Sequence, residues 1–255
     1  MRAERDGVGL FYTESGRGEP AVLMTHCLGG SSAFMAPVFQ DLQHNYRVVS
    51  IDARGHGQSD RQLGDYSMST MADDLIWLAD ELDLGPAVLV GHSMGGNVLL
   101  EMAARSPRST AGIVILDAST VPVDGLIDQF RPVLNGLRTD GWRDVLQGFM
   151  SQLVGHENDH EKREALLSSF QDNDQDVLVG ALASVLDQDS DALAARVEAP
   201  VLYISAGPWH TDVARFRSHC PQLLTAQVVG SGHNLQLEVP AQVNAMIRRF
   251  IEVAI

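Results

Sequence analysis

The stretch VLVGHSMGG, residues 88–96, decides how this chain is read. Its first three residues form a short apolar run, as in a strand covered on both faces, and the residues from 94 to 105 repeat apolar side chains at helical spacing. Between the two lies Gly91-His92-Ser93-Met94-Gly95, a serine flanked by glycines two residues to either side. A turn this tight between strand and helix strains the serine backbone, and only glycine avoids a clash where the two elements nearly touch. The serine hydroxyl then projects from the carboxyl edge of a sheet with a helix N-terminus behind it.

Serine is a poor nucleophile at neutral pH unless a base lies within hydrogen-bond reach. The stretch GSGHNLQLEVP, residues 230–240, supplies one: His233 follows an apolar run and two glycines and precedes the last helical segment. Its imidazole can therefore project over the same sheet edge. His92 points away from its neighbour Ser93, and His56 belongs to a glycine turn and reads as structural.

Outward from this centre, apolar runs at 21–26, 46–52, 87–92, 111–117, 199–205 and 223–230 read as buried strands. Helical periodicity at 34–43, 70–83, 94–105, 212–219 and 239–253 separates most of them. The alternation predicts an α/β fold with a mostly parallel central sheet flanked by helices. From 121 to 196 strand signals cease and helical patterns continue, which predicts a helical cap insertion. The expected division is a core of residues 1–120 and 197–255 with a cap of 121–196. Acidic clusters at 171–176 and 187–191 read as solvated faces and helix N-termini. Phe130, Trp142, Phe149 and Met150 are candidates to wall a pocket beneath the cap.

The 255 residues carry 45% hydrophobic side chains and a formal net charge of −15. A core of that size fits one folding unit, and the charge repels phosphate backbones and anionic lipids. The expected partner is a small-molecule substrate, with neither nucleic acid nor membrane; the sequence leaves the oligomeric state open. Cys27 and Cys220 suggest neither a disulfide framework nor a zinc site. No cofactor and no metal are expected. With no apolar leader and no spanning segment, the expected location is the cytoplasm.

The chain resembles the α/β-hydrolase fold superfamily in its serine-nucleophile branch, from about residue 20 onward. The resemblance rests on His26-Cys27-Leu28-Gly29-Gly30, on Asp52-Ala53-Arg54-Gly55-His56-Gly57-Gln58-Ser59, on Gly91 to Gly95, and on Gly232-His233. It implies two backbone N–H donors to a developing oxyanion, Leu28 and Met94. Cys27 departs from the family, which usually has glycine there. In much of the family the third catalytic group, an acid, lies three residues beyond the glycine after the strand at 201–205. That position here is His210. Asp212 comes two residues later and has another use at a helix start, where Thr211 would cap and Asp212 would favour the dipole. Other branches, including haloalkane dehalogenases and zearalenone-type lactonases, carry the acid after the preceding strand, where AGIVILDAST places Asp117. Asp117 is the preferred acid and Asp212 the alternative. The resemblance implies an esterase- or lactonase-like serine hydrolase acting through Ser93, His233 and Asp117. Proton-abstracting lyases, ring-cleaving dioxygenases and small-ligand receptors share the fold and remain alternatives.

Overall fold

The strands follow one another along the chain as β1 (Arg2–Arg5), β2 (Val8–Ser15), β3 (Val22–Thr25), β4 (Val48–Ile51), β5 (Ala87–His92), β6 (Thr110–Leu116), β7 (Val201–Ser205) and β8 (Leu223–Gln227). The computed structural model describes residues 1–61, 64–154, 160–170, 172–207 and 210–255, with 160–162 by their backbone. The strands form one sheet in the order β1-β2-β4-β3-β5-β6-β7-β8. Pairs from β4 through β8 are parallel, whereas β2 is antiparallel to both β1 and β4.

Strand alternation explains why the runs read as continuously apolar. In β5 Leu89 joins one core while Val88 and Val90 join the other; β6 divides Ile113 and Ile115 from Val114 and Leu116, and β7 divides Val201 and Tyr203 from Leu202 and Ile204. Both faces of these interior strands are therefore dry, and period two disappears from the sequence, whereas the edge strand β8, expected to be buried, leaves Leu224 exposed. The helices α1 (Ala36–Leu42), α2 (Met68–Glu81) and α3 (Met94–Arg105) fill the first three crossovers. Leu75 and Leu78 of α2 and Leu99 of α3 close the first core, while Val38 and Leu42 of α1 close the second.

Between β6 and β7 come α4 (Leu126–Leu137), α5 (Trp142–Leu153), α6 (His160–Ser169), α7 (Gln175–Asp187) and α8 (Ser190–Ala194). Here α4 packs on α5 and α7, α7 on α2, and α8 on α3. Leu134, Leu137, Leu146 and Leu178 carry the first core into this segment. The acidic clusters fall at helix starts: Asp174 precedes α7, and the Asp189 carboxylate accepts the Ala192 N–H at 3.2 Å. Gln171, in the first cluster, lies outside the described residues. After β7 follow α9 (Val213–His219), α10 (Leu235–Glu238) and α11 (Pro240–Ala254), the last placing Ile247 and Phe250 in the second core.

The strands β1 and β2 are an addition to the sequence reading, which begins its strands at residue 21. In β1 exposed and half-buried residues alternate along RAER, a polar edge without the apolar run that marked the others. Ion pairing ties this edge down: Asp74 of α2, almost wholly buried, accepts Arg5 at 2.8 Å and Arg54 at 2.6 Å.

The chain passes from β3 to β4 on one side and returns to β5 on the other, so the loops leaving β3 and β5 diverge. In open α/β sheets such a divergence creates a crevice at the carboxyl ends of the strands. The motifs singled out in the sequence meet there.

Candidate active site

Ser93 links β5 directly to α3 with φ 52° and ψ −121°, a conformation costly for a non-glycine residue. Its N–H donates to Leu116 O at 2.9 Å, and its carbonyl accepts the Gly96 N–H at 2.8 Å. The need for glycine is steric: a Cβ on Gly91 would stand 2.6 Å from the Gly95 backbone, and one on Gly95 would stand 2.8 Å from the carbonyl oxygens of Thr25 and His26. The turn fits only because both positions lack side chains.

At the end of the next strand Asp117 also has positive φ, 45°, in the left-handed region that Asp tolerates better than most residues. Its N–H donates to Ile204 O at 2.8 Å. Oδ1 accepts the Ala206 N–H at 2.9 Å, and Oδ2 lies 2.8 Å from Nδ1 of His233. Burial raises the pKa of this carboxyl, but the His233 hydrogen bond and charge, the Ala206 N–H and nearby His210 outweigh it and hold it below the usual carboxylate range. An ionised carboxylate only accepts, so Nδ1 of His233 carries a proton, and in the neutral ring Nε2 is the accepting nitrogen.

Asp212 is placed differently. Its carboxylate accepts the Arg215 N–H at 2.9 Å as the N-cap of α9. Thr211, expected as the cap, instead donates its hydroxyl to Ala118 O at 2.8 Å. The cap thus falls one residue later than the sequence suggested, because the Thr211 hydroxyl is drawn into the buried seam beside the end of β6. Within the same stretch Pro208 and Trp209 lie outside the described residues.

Leu28 and Met94, the expected oxyanion donors, lie on the loop after β3 and at the first position of α3. Among the described residues neither N–H meets an acceptor. The Leu28 N–H is aimed by its own peptide plane. That plane's carbonyl, on Cys27, accepts the Gly30 N–H at 3.0 Å and lies 2.8 Å from Nδ1 of His26. Since Nε2 of His26 accepts the Ala53 N–H at 3.0 Å, Nδ1 carries the proton and donates. Burial pushes the Cys27 thiol up to about 12. It is thus protonated at neutral pH, a small buried residue and a poor nucleophile.

Ser93, Asp117, His233, Leu28 and Met94 line one cavity. The helical segment supplies the opposite wall with Leu126, Phe130, Phe149, Met150, Leu182 and Leu186. Trp142 is not part of the lining; it is buried in the first core with Arg143 over its ring. Ser119, His210 and Asn234 add polar groups that the sequence reading had not assigned to the site. Each is close in sequence to a loop already implicated, and that proximity was the available signal.

The family model for the alpha/beta hydrolase fold matches residues 20–240. The chain belongs to the α/β-hydrolase fold family. It is 40% identical over 118 residues to a Caulobacter vibrioides protein that bears the provisional name carbamate hydrolase RutD, a match covering 45% of this chain and 44% of that one. The match thus spans less than half the length of that curated relative. Two solved structures share the whole α/β-hydrolase architecture. A thermophilic esterase from Thermogutta terrifontis superposes with TM-score 0.85 at 23% identity, covering 99% of this chain and 98% of that one. An enol-lactonase from Burkholderia xenovorans LB400 superposes with TM-score 0.86 at 20% identity, covering 99% and 100%. Among the described residues no helix is long and apolar enough to cross a membrane, and no group of three or more His, Cys, Asp or Glu is placed to hold a metal ion.

Proposed function

We propose that the protein is a serine hydrolase of carboxylic esters or lactones with an apolar acyl portion. The observation that carries this reading is the opening of Ser93, on its strained turn, into the same apolar cavity as the hydrogen-bonded pair His233–Asp117. Ser93 Oγ attacks the carbonyl carbon as its proton passes to His233 Nε2. The N–H groups of Leu28 and Met94 stabilise the oxyanion, a contribution worth ~10²- to 10³-fold in rate for one such donor. Collapse breaks the bond to the alkoxy oxygen, which takes the proton from His233. Water, activated by the same nitrogen, then releases the acid and restores Ser93. Asp117 fixes the tautomer and stabilises the imidazolium.

Residues 121–196 act in this reading as a cap that selects the acyl group. A carboxylate-bearing chain would lose its hydration against Leu126, Phe130 and Leu182, a transfer that strongly disfavours charge. Uncharged substrates are therefore preferred. The esterase and enol-lactonase names of the two structural neighbours agree with ester chemistry at this fold. Cys27 and Cys220 are both unpaired and buried, which suits a reducing cytoplasm.

The test is a panel of p-nitrophenyl esters and lactones with products identified by mass spectrometry. Hydrolysis by wild type and none by Ser93→Ala supports the reading. Turnover of a substrate without addition of water, as a lyase or dioxygenase would show, or unimpaired hydrolysis by Ser93→Ala, overturns it.

A further inference from the structure

His92 immediately precedes Ser93 but, unlike it, does not line the cavity. Its ring is fully buried against that of His233, with centroids 4.7 Å apart and planes inclined by 44°. Nε2 of His92 lies 2.8 Å from the backbone oxygen of His233, and Nδ1 lies 3.2 Å from Nε2 of Gln236. A carbonyl can only accept, so His92 carries its proton on Nε2 and receives the Gln236 amide at Nδ1. Burial drives its pKa down to about 3, so the ring stays neutral through the pH range in which ordinary histidines titrate.

The loop that carries His233 is held to the sheet at its entry, where the Val228 N–H donates to Ser205 O at 3.0 Å. It is irregular, with Gly230 at φ 76°, and its flanks are fixed by short-range bonds: Glu238 accepts the Gly232 N–H at 2.7 Å, and Asn234 O accepts the N–H groups of Leu237 and Glu238. These bonds shape the loop locally. The bond from His92 joins it to the sheet, across 141 positions of sequence.

We propose that His92 is a positioning residue for the base, holding the His233 backbone through its Nε2–H. The inference rests on the reading of His233 as the base that serves Ser93. The dipeptide His92-Ser93 then carries both the nucleophile and the anchor of its base. Asp117 sets the direction of the His233 ring, and His92 sets the place from which it extends. Displacing a reacting group by about 1 Å costs on the order of 10²-fold in rate.

The test compares His92→Gln with His92→Asn. Both bring a buried amide, so their burden on folding is alike, but the Gln nitrogen reaches about as far as Nε2 and the Asn nitrogen only as far as Nδ1. The expected result is kcat within about threefold of wild type for Gln and a loss of ~10- to 100-fold for Asn, with KM little changed in either. Equal kcat in the two folded variants would overturn the proposal. A second measurement needs neither variant nor substrate: nitrogen NMR of the wild-type protein should show His92 neutral and protonated at Nε2 across the range in which ordinary histidines titrate. A ring protonated at Nδ1 overturns the inference even if esters are cleaved. Absence of ester cleavage with the expected tautomer overturns the esterase reading instead, so the two failures fall on different measurements.

Discussion

Asp117 and Asp212 are the same side chain put to two uses at neighbouring corners of the molecule. Each gives one oxygen to a backbone N–H at 2.9 Å, Asp117 to Ala206 and Asp212 to Arg215. They differ in what lies behind them. Asp117 ends a buried strand with φ 45° and turns its other oxygen to His233. Asp212 opens a helix with φ −71° and completes a cap. A carboxylate at a helix start is drawn to the orphan N–H groups of that helix, whereas one at the end of an interior strand has the sheet's carboxyl edge before it. Position within the fold, more than chemical type, separates the proposed acid from the cap.

The largest expected effect calibrates the comparison. Ser93→Ala removes the proposed nucleophile and should lower kcat by up to about 10⁶-fold, as in well-studied triads, while the protein stays folded by circular dichroism. No loss at either aspartate should exceed it, and activity within tenfold of wild type would remove the reason for an acid at all.

Next in size is the response to acid. His56 and His92 have folded pKa values of about 3 against an ordinary 6.5. The unfolded chain therefore binds more protons below pH 6.5, and their contribution to stability is full above that value and lost as pH falls toward 3. At pH 5 each loss is about 2 kcal/mol. Asp117 adds in the same sense, since its lowered pKa gives stability that is present above 3.8 and lost as pH falls through the folded value. Urea unfolding at pH 7 and pH 5 should show a clear drop; equal stability would mean that these histidines are not buried uncharged.

Much of this arrangement could be read from the residues, for identifiable reasons. The strand at 87–92 and the helix at 94–105 have the expected limits, because buried runs and helical periodicity are local signals. Ser93 and His233 stood out because glycine neighbours mark tight turns. The choice of Asp117 over Asp212 needed family resemblance, since a pairing across 116 positions leaves no local mark. The bond from His92 to His233 is hidden for the same reason, and β1 because its polar edge carries no apolar run. Thr211 and Asp212 are both good caps, and only the buried acceptor on Ala118 separates them.

A smaller effect concerns the wall that neither aspartate forms. Leu182→Ala or Phe130→Ala should shift the ratio of kcat/KM between short and long acyl esters by ~10- to 200-fold, with little change on acetate. Uniform loss across the series would place these residues in folding rather than selection. Smallest of all is Asp212→Ala, expected to cost about 0.5–2 kcal/mol of stability through the lost cap while kcat stays near wild type. A thermal scan together with an ester assay checks both halves.

The most direct test is kcat of Asp117→Asn beside Asp212→Asn, with both variants shown to be folded. Asparagine at 117 presents an N–H₂ to Nδ1 of His233 and favours the wrong tautomer, so kcat should fall on the order of 10⁴-fold there and hardly at all at 212, where Asn is as good a cap as Asp. A large loss at Asp212 with activity retained at Asp117 would contradict it.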